Sequence, residues 1–78
     1  MNMIVLYTDG GQESERCRSL LSRLNGEFLE YRLGEEFTQT QFDREFGSGA
    51  EYPQVAIGYK HIGGLKETLH YLQDTGVI

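Results

Sequence analysis

The chain has 78 residues, a formal net charge of −5 and 38% apolar residues. That length predicts one domain, residues 1–78, near the lower size at which a single core suffices. The acidic balance argues against a nucleic-acid or anionic-membrane partner, and no apolar run approaches the roughly 20 residues needed to span a bilayer. Met1-Asn2-Met3 lacks the basic start of a signal peptide, and one cysteine cannot form an internal disulfide, so a cytoplasmic protein is expected.

Met3-Ile4-Val5-Leu6-Tyr7 is apolar on both faces, the pattern of a central strand covered on both sides. Thr8-Asp9-Gly10-Gly11 is a turn, and Gln12 opens a helix. Cys17, Leu20, Leu21 and Leu24 recur at i, i+3, i+4 and i+7 as one buried stripe, with Arg16, Arg18 and Arg23 off it. Asn25-Gly26 stops the helix through a left-handed glycine. A second strand is expected over Glu27–Leu33, and strand, helix and strand make one right-handed βαβ unit. Gly34-Glu35-Glu36 is a loop. Thr38 starts a short helix, since Thr38 and Gln41 have the capping-box spacing, and Phe37, Phe42 and Phe46 face the core.

Gly47 to Glu51 leads to Pro53, the single proline of the chain. Gln54–Ile57 is short, apolar and partly β-branched, as a buried strand should be. Gly58-Tyr59 has glycine first, the pattern of a type II′ hairpin turn, so Lys60–Ile62 returns antiparallel. Gly63-Gly64 breaks that strand and turns the backbone into a last helix. Leu65, Leu69 and Leu72 give that helix its stripe, Gly76 ends it, and Val77-Ile78 tucks back. The predicted order is β-α-β-α-β-β-α around a four-stranded mixed sheet, an α/β fold.

The run Pro53-Gln54-Val55-Ala56-Ile57-Gly58-Tyr59-Lys60-His61-Ile62-Gly63-Gly64 resembles the second half of a glutaredoxin, a small thiol–disulfide oxidoreductase of thioredoxin fold. The resemblance covers nearly the whole chain. It implies a cis bond before Pro53, facing the active site, and paired glycines beside a glutathione pocket. It also implies a Cys-x-x-Cys or Cys-x-x-Ser motif at the start of the first helix, where free N–H groups and the positive dipole end lower a thiol pKa.

That motif is missing. Counting forward from Tyr7 puts Gln12 and Glu15 at the two cysteine positions; matching the buried stripe puts Gly11 and Ser14 there. The second alignment is preferred, because burial fixes helix phase while a turn can lose a residue. A serine with no adjacent base is not a nucleophile at neutral pH. Cys17, the only cysteine, lies on the leucine stripe and is a weak catalytic candidate, since an apolar setting raises a thiol pKa. Asp9 stands where the family carries a basic residue for glutathione's glycine carboxylate. Leu65-Lys66-Glu67 stands where acidic residues hold its amino group, leaving Glu67 alone and out of place.

What survives is a groove at Tyr52, Pro53, Gly63, Gly64 and Leu65. Main-chain pairing at Tyr52-Pro53, the N–H groups of Gly64 and Leu65, and an aromatic wall from Tyr52 and Tyr59 would receive a peptide. The expected function is therefore a glutaredoxin-like protein that has lost redox catalysis and binds a peptide or partner protein. The alternative is an active glutathione-dependent oxidoreductase using Cys17 or a rearranged turn. No cofactor is expected, glutathione being doubtful. No metal is expected either, since His61 and His70 have no partners at a recognised spacing. His61 is expected to be an ordinary polar residue of the hairpin.

Overall fold

β1 (Ile4–Thr8) and β3 (Gln54–Ile57) lie antiparallel at the centre of a four-stranded sheet of order β2-β1-β3-β4. The structure is a computed structural model that describes residues 3–23, 28–58 and 60–76. β2 (Leu29–Arg32) pairs parallel with β1, and β4 (Lys60–Gly63) pairs antiparallel with β3. Three helices complete the chain: α1 (Gln12–Arg23), α2 (Gln39–Phe46) and α3 (Leu65–Asp74). The order is the one the sequence predicts.

Alternation along the strands sorts the side chains onto two faces. Leu6, Val55 and Ile57 point to one face, where they pack with Cys17 and Leu21 of α1. Ile4, Phe28, Ile62, Leu65 and Tyr71 border this aliphatic core. Tyr7 points the other way, into rings supplied by α2 and its flanks. Its ring lies 4.9 Å from Phe46, 5.3 Å from Phe37 and 5.5 Å from Tyr31. Phe42 is buried in the middle, stacked on Tyr52 at 4.1 Å. Phe37, Phe42 and Phe46 therefore do face a core, and it is an aromatic one.

Local rules set most boundaries. Thr38 caps α2: its hydroxyl accepts from the Gln41 N–H, and the Gln41 side chain accepts from the Thr38 N–H at 2.8 Å, a complete capping box. Gly58 carries φ of 63° at the hairpin; Tyr59 lies outside the described residues, so the turn type expected there does too. The same holds for the Leu24 end of the first stripe, the Asn25-Gly26 stop, Glu27 and Val77-Ile78. β2 is shorter than expected, because β1 offers partners only from Val5 to Thr8 and these take Leu29 to Arg32. Leu33 forms an isolated bridge to Phe37 instead. On α3 the deepest positions are Thr68 and Leu72, while Leu69 is half-buried. The leucine stripe missed Thr68, whose Oγ1 is buried without a hydrogen-bond partner among the described residues.

Candidate functional site

The mouth of α1 is closed by two successive side-chain turns. Thr8 ends β1 fully buried, and its Oγ1 accepts from the Gly10 N–H at 3.0 Å. Asp9 Oδ1 accepts from the Gly11 N–H at 2.9 Å and from Ser14 Oγ at 2.9 Å. Short oxygen-bearing side chains mimic a backbone turn in this way. The Asp9 carboxylate thus sits at the positive end of the helix dipole, where a negative charge is favoured by about 0.3–1 kcal/mol. The Glu15 N–H donates to the Gly11 carbonyl at 3.0 Å, so the helix opens at Gly11.

This geometry separates the two motif alignments. Gln12 and Glu15 are exposed, and Glu15 is engaged outward with Arg18 at 3.0 Å. Gly11 is half-buried and Ser14 is 1% exposed, held by Asp9. Beside the mouth, Thr8, Asp9, Gly10, Glu15, Glu30, Arg32, Leu33 and Glu35 line a cleft of about 340 Å³. Four of those eight residues are carboxylates against one arginine, so the cleft repels anions.

Cys17 does not reach this mouth. It is 0% exposed, inside the aliphatic core one helical turn further on. Burial, with help from Glu13, pushes its thiol up to about 11. A thiol so placed is protonated at neutral pH and out of contact with any dissolved disulfide.

The facing wall comes from Tyr52, Pro53 and the entry to α3. The Tyr52–Pro53 peptide bond is cis, and Pro53 is fully buried. Tyr52 is not the open wall expected of it: its ring stacks on Phe42 and its hydroxyl donates to Gln39 Oε1 at 3.0 Å. Burial and the carboxylates of Asp9 and Asp43 raise its phenol above the usual range. Gly63 has φ of 125°, and a Cβ there would stand 2.8 Å from Glu67 Cβ; one on Gly64 would stand 3.3 Å from the Pro53 carbonyl oxygen. Only glycine lets the α3 entry sit this close to its neighbours. The Gly64 N–H, expected to be free for a ligand carboxylate, donates instead to Glu67 Oε1 at 3.0 Å. Leu65 is half-buried against the aliphatic core.

Among solved structures, the chain resembles a solution structure of glutaredoxin from Brucella melitensis. The two share 30% identity and a TM-score of 0.69, over 97% of this chain and 83% of the other. The chain belongs to the glutaredoxin family. A second solved structure, of actin interacting protein 5, shares 21% identity at a TM-score of 0.63, over 88% of this chain and 80% of that one, a likeness of fold. No family model matches the chain, and no curated protein does.

The residues at the two helix starts do not fit the carboxylates of glutathione. The two helix starts that border the groove are filled by the chain's own carboxylates, Asp9 at α1 and Glu67 at α3. A bound carboxylate or thiolate at either one would displace an internal bond and meet a like charge, which opposes its binding. Among the described residues no three His, Cys, Asp or Glu converge as metal ligands. No helix among them is long and apolar enough to cross a membrane.

Sequence reasoning passed over several residues that shape this site. The sequence places Asp9 in a turn and sets its charge against glutathione, but Asp-x-Gly is also a standard signal for a carboxylate that serves the backbone. Gly64-x-x-Glu67 has the spacing of half a capping box. His61, expected to be an ordinary polar residue, is exposed but tied: its Nε2 lies 3.0 Å from Glu45 Oε1 and its ring lies 4.5 Å from Phe46. No local signal could have found that pairing, because it joins β4 to α2.

Proposed function

We propose that this glutaredoxin-family chain has given up thiol–disulfide catalysis and works in the cytoplasm by binding a peptide or partner protein. The observation that carries the reading is the mouth of α1, where the Asp9 carboxylate accepts from the Gly11 N–H and from Ser14 Oγ. Disulfide reduction needs an accessible thiolate to attack a sulfur. The single cysteine of the chain is buried and protonated. Gly11 and Ser14 are then the remnants of the motif. The Tyr52-Pro53 segment and the Gly63-Gly64-Leu65 entry to α3 form the groove that receives main chain rather than sulfur. Supporting use of the scaffold for protein contact, the same fold occurs in a protein named for interacting with actin.

The test is a glutathione-coupled disulfide reduction assay on the full chain beside Cys17→Ser. No turnover above background is expected from either protein. Turnover that Cys17→Ser abolishes would overturn the reading. A chemical-shift titration with glutathione and with a capped extended peptide examines the groove. Shifts at Tyr52–Gln54 and Gly63–Leu65 with the peptide alone are expected, and a response to glutathione alone would count against it.

A further inference from the structure

The aromatic side of the sheet is not closed. Tyr7, Tyr31, Glu36, Phe37, Gln41, Phe42 and Glu45 line a groove of about 290 Å³ between β2 and α2. Its floor is rings set edge to face around Tyr7, with Tyr31 half-buried at the outer lip. Tyr31 lies beside Tyr7 in the parallel register, and Leu29 beside Val5. Leu29 and Leu33 flank Tyr31 along the chain and are 41% and 36% exposed. The apolar surface therefore continues out of the groove along the edge of the sheet.

The charge of this surface has one sign. Glu36 and Glu45 stand on the rim, and among the described residues no Lys or Arg lines the groove. Each carboxylate has one internal contact, Glu36 Oε1 with the Arg32 N–H and Glu45 Oε1 with His61. Neither contact is with a Lys or Arg side chain. Rings present a negative face, and a cation set over one gains about 0.5–1 kcal/mol at an exposed site, more when desolvated. Strand pairing is blocked at Arg32, where Glu36 caps the outward N–H and the Glu35 and Glu36 N–H groups donate to the carbonyl, so the groove favours a different mode. That mode is an inserted side chain.

We propose that the groove between β2 and α2 docks a lysine- or arginine-bearing segment of a partner protein. The cationic side chain lies on the Tyr31 and Tyr7 rings between Glu36 and Glu45, and its apolar neighbours rest on Leu29 and Leu33. The net charge of −5 favours such a partner over a second copy of the chain. Tyr52 and Pro53 do not line this groove, although the Tyr52 ring stacks on Phe42 at its floor.

The experiment is a chemical-shift titration of the full chain with two capped tripeptides, Leu-Arg-Leu and Leu-Gln-Leu. The arginine peptide is expected to shift Tyr31, Phe37, Gln41 and Glu45, with affinity falling as salt rises; the glutamine peptide is not. The double variant Glu36→Gln/Glu45→Gln, and separately Tyr31→Leu, which keeps apolar volume but removes the ring, should each weaken binding about three- to tenfold. Four outcomes would overturn the proposal. They are no shifts up to about 5 mM peptide, equal response to both peptides, shifts gathered at Tyr52–Gln54, and self-association of the peptide-free chain through this face in sedimentation.

Discussion

One face of the sheet is aliphatic and sealed; the other is aromatic and half open. On the first, Leu6, Val55 and Cys17 are wholly buried between the sheet and helices α1 and α3. On the second, the eight-residue α2 is held by rings, by a tyrosine hydroxyl on Gln39 and by a histidine on Glu45. Aliphatic packing stabilises through area alone and leaves nothing for a ligand to recognise. Rings stabilise through area too, but they keep a directional surface that a partner can read. Stability rests on the first face, and the second is the face on which recognition is proposed.

That contrast can be broken at its strongest point by Phe42→Ala. Phe42 is the buried anchor of the aromatic side, and its loss is expected to cost about 3–5 kcal/mol in urea unfolding. A loss below about 1 kcal/mol would show that α2 is held by something else.

Alkaline unfolding reads the sealed side through Cys17. Its thiol has an ordinary value of 9.0 and is pushed to about 11 in the fold. The folded value is the higher one, so the stabilisation is complete below pH 9 and drains away as the pH rises to about 11. The full span is worth about 2–3 kcal/mol. Cys17→Ala should lessen that slope, the raised Tyr7 and Tyr52 phenols supplying the remainder, and an unchanged slope would mean the thiol is reached by water.

Asp9→Ala is expected to cost about 1–2 kcal/mol, because it takes away a cap and leaves the Ser14 hydroxyl buried without its acceptor. Asp9→Asn, which keeps an oxygen acceptor, should recover most of it. Equal losses from the two would mean that the charge, not the hydrogen bonds, matters at the α1 mouth. The smallest effect is expected from Glu45→Gln, below about 1 kcal/mol, since the His61 contact is exposed. A larger cost would mean that this tie, rather than the rings, docks α2 to β4.

Much of this was legible in the chain. The capping pair Thr38 and Gln41, the positive-φ glycine of the hairpin and the apolar Gln54–Ile57 run each obey a local rule, and each lies where that rule puts it. Family resemblance then supplied the topology that local rules cannot. The misses share a cause. Tyr52 was read by its neighbours in sequence, but α2 claims its ring. Glu67 was read as an out-of-place ligand, but the first turn of its own helix uses it. Thr68 was skipped because a polar residue does not mark a stripe, although the packing of α3 buries it. Side chains that serve their own backbone or a distant element carry no periodic signal.

The Asp9–Gly11 contact bears on the evolutionary future of the chain. A Cβ placed on Gly11 would stand 3.1 Å from Asp9 Oδ1, so a cysteine placed there would arrive against a carboxylate already seated on the same N–H. A Gly11→Cys thiol would face that negative charge, which raises a thiol pKa, and relieving it would take a second change at Asp9. Sulfur in a setting that favours its thiolate would thus take two changes at the α1 mouth, not one.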